Sequence, residues 1–106
     1  MAKFLVKGSY STEGTKGLLK EGGSSRKATV EKMIKGLGGS VEAFYYAFGE
    51  TDVFVICDLP DAVTAAGISL AINATGGVNV SLVPLLTVQE IDQASKESVG
   101  YRAPGA

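Results

Sequence analysis

Few residues of this chain are able to do chemistry. Tyr10, Tyr45 and Tyr46 carry phenols, and Asp52 carries a carboxylate next to the Gly-containing turn Gly49-Glu50-Thr51. A tyrosine can orient a polar ligand or, when its pKa is tuned, move a proton. More commonly it packs its ring and lets the hydroxyl reach water or backbone. Asp52 also has two readings. As a turn residue it accepts hydrogen bonds from amides of the turn, while Gly49 supplies a positive φ. As a pocket carboxylate at the end of a sheet it carries a proton. Tyr10, Tyr45, Tyr46 and Asp52 are therefore the candidate ligand-binding residues, and no residue is assigned as catalytic.

Several chemistries are excluded by what the chain lacks. It has no histidine and a single cysteine, Cys57. Ser-His-Asp and Cys-His units are impossible, and the commonest metal ligand is missing. Asp58 and Asp61 flank Pro60 and read as helix caps, so neither a metal nor a cofactor is expected. One cysteine allows no intrachain disulfide, and its apolar surroundings mark it as a small core residue. Gly36-Leu37-Gly38-Gly39 follows a helix instead of a strand, which is the wrong context for a dinucleotide fingerprint. No glycine pair has the Gly-Lys-Ser/Thr spacing of a phosphate loop. Ser9, Ser11 and Thr12, with Lys16 one turn on, have the types of an anion site, and ordinary helix capping accounts for them more simply.

The elements that must position these residues fit a chain of 106 residues, 45% hydrophobic and 20% charged, which is a single-domain globular composition. The net charge is −1. The basic residues Lys16, Lys20, Arg26, Lys27, Lys32 and Lys35 cluster, but they read as a solvated helix face, and no nucleic-acid partner is expected. The start, Met-Ala-Lys-Phe-Leu-Val-Lys, lacks a signal-peptide core, and no stretch approaches the ~18 apolar residues of a membrane span. A cytoplasmic protein of bacterial type, with no membrane partner, is the expectation. The domain is expected over residues 1–98, with a tail over 99–106.

Residues 3–9 form a β-rich run, with Phe4, Val6 and Tyr10 on one face and Leu5 on the other. A short helix carrying Leu18 and Leu19 follows, and Gly22-Gly23-Ser24-Ser25 breaks it. Val30, Met33, Ile34 and Leu37 then fall on one stripe of a 3.6-residue period, the clearest helix in the chain. Gly38 and Gly39 are left-handed C-cap candidates. Residues 41–48 and 52–57 read as a β-hairpin. A helix begins at Pro60 or Asp61, with Val63, Ala66, Leu70 and Ala74 on its packing face. Residues 78–86 form a fourth strand, and Pro84 places its end at a sheet edge or bulge. Thr87 and Glu90 have the spacing of a capping box for a last short helix to about residue 96.

The order β-α-β-β-α-β, then a short C-terminal helix and tail, is the ferredoxin-like α+β arrangement. Right-handed crossovers put two long helices on one face of a four-stranded antiparallel sheet. The other face stays bare, yet the strands feed apolar residues to both. Val53, Val55 and Cys57 go one way, Phe54 and Ile56 the other. On the preceding strand Val41, Ala43, Tyr45 and Ala47 are assigned to one face, and Phe44, Tyr46 and Phe48 to the opposite one. A solvent-facing sheet would alternate with polar residues. A second copy of the chain is the simplest cover, so a homodimer or higher oligomer is expected.

The run Phe44-Tyr45-Tyr46-Ala47-Phe48-Gly49-Glu50-Thr51-Asp52-Val53-Phe54-Val55-Ile56 resembles the signature of the GYD domain family, named for a Gly-Tyr-Asp element at this hairpin. Gly49 and Asp52 match it, and Thr51 stands at the Tyr position. Gly8-Ser9-Tyr10-Ser11-Thr12-Glu13-Gly14 and Leu59-Pro60-Asp61 are similar to the family pattern too, so the likeness spans about residues 3–86. The resemblance implies a small bacterial α/β domain akin to dimeric α+β barrel proteins, with no settled activity. Three functions remain open at this point. One is an oligomeric module that binds a small organic molecule, regulates or supports structure. The second is a cofactor-independent enzyme of isomerase or monooxygenase type, using Asp52 or a tyrosine as proton carrier. The third is an interaction module anchored by Tyr101, Arg102 and Pro104 of the tail.

Overall fold

Alternation along each strand decides which side chains are covered. The structure, a computed structural model, describes residues 1–106. Its elements run β1 (Ala2–Tyr10), α1 (Thr12–Glu21), α2 (Gly23–Gly36), β2 (Ser40–Tyr46), β3 (Val53–Leu59), α3 (Ala62–Thr75), β4 (Val78–Leu85) and α4 (Val88–Ala94). The strands pair antiparallel in the order β2-β3-β1-β4. This is the ferredoxin-like α+β fold expected from the sequence, with one addition: the first crossover contains two helices, parted at Gly22 with φ +86°.

The expected caps form except at Asp58, which lies on β3 and pairs with Lys3 at 3.3 Å because the strand runs on to Leu59. Ser11 starts α1 by accepting from the Gly14 amide at 3.1 Å, and Asp61 starts α3 by accepting from the Thr64 amide at 2.8 Å. Thr87 and Glu90 close both halves of the capping box at 2.8 and 3.1 Å. Pro84 lies on β4, an edge strand, where a missing amide is tolerated. Gly38 takes the left-handed conformation at φ +84°, but Gly39 does not. Gly39 is demanded by space instead, because a Cβ there would lie 2.3 Å from the Asp58 carbonyl oxygen.

The core is the inner face of the sheet, where Phe4, Val53, Val55, Cys57 and Leu59 meet Ile34 of α2 and Ala65 and Ile68 of α3. Two expected packing faces need correction. On α3 the covered residues are Ala65, Ile68 and Ile72, while Val63 and Leu70 are 81% and 74% exposed. The helix bears no charge and is apolar nearly all round, so its periodicity carries no signal for a packing face. On β2 a bulge at Glu42 sets Val41 opposite Cys57 but Ala43 opposite Ile56. The extra residue flips the alternation, so Val41 joins Phe44 and Tyr46 on the inner face while Ala43 and Tyr45 point outward. β2 also ends at Tyr46, which leaves Phe48 in the hairpin loop and fully exposed.

Every residue from 86 to 106 is exposed, α4 included, and the molecule measures 56 × 33 × 22 Å. No helix is long and apolar enough to cross a membrane.

Candidate functional site

β-branched residues favour strands because their stiff side chains pack well on a pleated surface. Here they make a floor on the inner face: Val6 of β1, Val53 and Val55 of β3, Val78 and Val80 of β4. The roof comes from two helices that cover different strands. α2 lies over β2, and α3 over β4 and β3. Between them the floor is incompletely filled, and a cavity of about 180 Å³ remains. Val30 and Met33 of α2 and Ile68 and Ile72 of α3 face each other across it. Cys57 is part of the wall and fully buried. Burial pushes its thiol up, with the Asp58 carboxylate adding to the effect, so it stays a protonated, apolar wall residue.

Polar groups gather at one end. Tyr10, at the close of β1, lines the cavity together with Arg26 and Thr29 of α2 and Thr75 of α3. Tyr46, at the close of β2, stands next to them. Its hydroxyl donates to the Gly23 carbonyl at 2.9 Å, and its ring meets Phe44 edge-on with centroids 5.3 Å apart. Burial raises the Tyr46 phenol above its ordinary value, the Tyr10 hydroxyl raises it further, and Arg26 opposes them. Tyr46 is thus a neutral donor at neutral pH. Arg26 is partly covered, and its one ion partner, Glu21, is 3.8 Å away.

Asp52 ties the hairpin to this corner. Its carboxylate accepts from the Tyr10 amide at 2.8 Å, and its own amide donates to the Gly8 carbonyl at 2.9 Å. The amide it serves belongs to the end of β1, not to the Gly49-Glu50-Thr51 turn. It therefore fixes where β1 stops and Tyr10 projects. Ser11 and Ser9 are occupied locally: Ser11 Oγ caps α1 and donates to the Gly77 carbonyl, and Ser9 Oγ donates to the Glu50 carbonyl. Lys16 pairs at the surface with Glu13, 3.7 Å away. No group of three or more Cys, Asp and Glu side chains is arranged to hold a metal ion.

Of the four candidate residues, Tyr10 and Tyr46 come together at the polar end of the cavity, and Asp52 braces Tyr10 from behind. Tyr45 does not join them; it lies on the outer face of the sheet, 70% exposed. Sequence reasoning missed Arg26, assigning it to a solvated basic face. A usable signal was present, since Arg26 sits four residues before Val30 and extends the Val30-Met33-Ile34 stripe by one turn.

The GYD domain family model matches residues 4–95. The match reaches beyond the hairpin that carried the resemblance and takes in all four strands and α4. No curated protein and no solved structure gives a significant match. The chain belongs to the GYD domain family.

Proposed function

We propose that this member of the GYD domain family is an oligomeric binding domain for a small organic molecule, held between the sheet and helices α2 and α3. The observation that carries this reading is the cavity of about 180 Å³, with apolar walls and a polar rim at one end. Ligand sites commonly have this build, an apolar body with few polar groups that fix orientation. An engineered apolar cavity of ~150 Å³ stays dry and takes up benzene, so a space of this size suits a molecule with a single ring. Tyr10 orients the guest, Tyr46 backs it from beside the cavity, and Asp52 sets the position of Tyr10. Regulatory and structural roles both follow from such binding if the guest stabilises the folded chain.

Self-association is the second half of the proposal. Leu5, Phe54, Ile56 and Val83 form an apolar strip on the outer face of the sheet, half-buried or exposed within their own chain. Lys3, Glu42 and Asp58 make a charged rim at one end of it, Lys3 lying 2.6 Å from Glu42 and 3.3 Å from Asp58. An apolar centre with a polar border is the composition of a protein interface, and a second copy fits it isologously. A cytoplasmic setting is in keeping with the single unpaired cysteine. The enzyme alternative has less support. A proton carrier should face the cavity unengaged, whereas Asp52 accepts from a backbone amide and Tyr46 donates to a backbone carbonyl.

Native mass spectrometry of protein purified from its source tests both halves at once. A dimer or higher multiple carrying the extra mass of a small organic molecule is expected. A bare monomer would contradict the proposal.

A further inference from the structure

The rim of the cavity can be read donor by donor. Thr29 Oγ donates its proton to the Ser25 carbonyl at 3.0 Å, and Thr75 Oγ to the Ile72 carbonyl at 2.7 Å. Tyr46 spends its proton on the Gly23 carbonyl at 2.9 Å. Two donors remain. The Tyr10 hydroxyl lies against the Tyr46 hydroxyl and gives its proton to no backbone carbonyl, and the Arg26 guanidinium has no hydrogen bond, its contact with Glu21 at 3.8 Å being too long to be one. Arg26 is also the only charged residue of the lining. It presents a planar fork of N–H groups.

We propose that this corner is a carboxylate subsite: Arg26, with the Tyr10 hydroxyl beside it, receives the anionic end of a small monocarboxylate whose single-ring or short aliphatic body fills the cavity. The inference rests on the cavity reading above and narrows its ligand class. A carboxylate matches the guanidinium fork with two parallel hydrogen bonds, and the apolar walls weaken competition from water. A cationic ligand would meet the Arg26 charge. A wholly apolar one would leave the Arg26 fork facing its surface without a partner, which costs binding energy. Glu21 holds Arg26 only loosely, so the fork can turn inward without breaking a strong ion pair.

Calorimetric titration of the full chain at neutral pH with toluene, benzamide and benzoate separates this inference from the cavity reading. We expect toluene to bind through the cavity alone. Benzoate is expected to bind roughly tenfold or more tightly than its neutral analogue benzamide, the usual margin for charge-assisted hydrogen bonds. Arg26→Gln should abolish that preference and leave toluene binding as it was. Benzoate binding no tighter than benzamide, or a preference that survives in Arg26→Gln, would overturn the subsite while the cavity reading stands on toluene. Failure of all three probes overturns both. Should the Gln variant fail to fold, Arg26→Lys, which keeps the charge and loses the fork, should weaken benzoate and not toluene. Unchanged benzoate binding in that variant also overturns the assignment.

Discussion

On the inner face of the sheet Phe4, Val53, Val55 and Cys57 are between 0% and 7% exposed, and helices of the same chain cover them. On the outer face Leu5, Phe54 and Ile56 alternate with them along the same strands and are only half-buried. The two faces are made of similar residues, yet only one is finished by its own chain. On the inner face the finish is incomplete in a useful way, since α2 and α3 stand apart and leave a cavity with a polar corner. On the outer face the apolar residues are continuous, flanked by Lys3, Glu42 and Asp58 at one end and by Lys7, opposite Phe54, at the other. Hydrophobic content alone therefore does not separate a pocket from an interface. What separates them is which neighbours the topology supplies.

The largest effect should come from placing one charge on each face. Val55→Asp puts an unpaired carboxylate among Phe4, Ile34 and Ile68, and we expect it to unfold the chain, read by circular dichroism. Ile56→Asp, one residue along, should leave a folded chain of lower association state, read by analytical ultracentrifugation. A folded Val55→Asp, or an unfolded Ile56→Asp, would mean that the faces are assigned wrongly.

Helix α3 offers the same contrast at smaller scale. Ile68→Ala should cost about 2–5 kcal/mol in denaturant unfolding, because Ile68 is 6% exposed. Leu70→Ala should stay within about 0.5 kcal/mol, its side chain being in solvent. Equal losses would show that the helix is rotated about its axis.

Asp52 contributes less, through the loop that frames the inner face. Replacing it with Ala removes the acceptor for the Tyr10 amide and should cost about 1–2 kcal/mol, whereas Asn keeps an oxygen there and should retain most of the stability. Equal melting temperatures for Ala and wild type would remove Asp52 from its bracing role.

The smallest effect concerns the cap of α3. Hydrogen bonds from the Thr64 amide and hydroxyl hold the Asp61 carboxyl below its ordinary range. With a folded value below the unfolded one, its contribution is present above about pH 3.9 and fades as pH falls through the folded value. Asp61→Asn should flatten that part of the acid melting profile. A profile identical to wild type would exclude the cap as its source.

Much of this was legible in the sequence, and the failures have identifiable causes. Strands, caps and helix order could be read because local chemistry fixes them: Ser11, Asp61 and the Thr87–Glu90 pair act on their own next turn. The α2 stripe was legible because Lys and Glu fill its other faces. The α3 face was not, because Val63, Ile68, Leu70 and Ile72 look alike and only the sheet chooses among them. The β2 faces were misread because a bulge leaves no mark when Val41-Glu42-Ala43 alternates acceptably in either register. Tyr10 and Tyr46 were recognised as candidates by type, but that they meet, and that Tyr45 does not, depends on that bulge. Arg26 was hidden by five neighbouring cations that do face solvent.

The division between faces is tested most directly by a methyl-resolved NMR titration of the full chain with toluene. We expect the resonances that move to belong to Val6, Val30, Met33, Val55 and Ile72, which wall the cavity, while those of Leu5, Ile56 and Val83 on the outer face stay in place. Movement confined to Leu5, Ile56 and Val83 would contradict a binding site between the sheet and its helices.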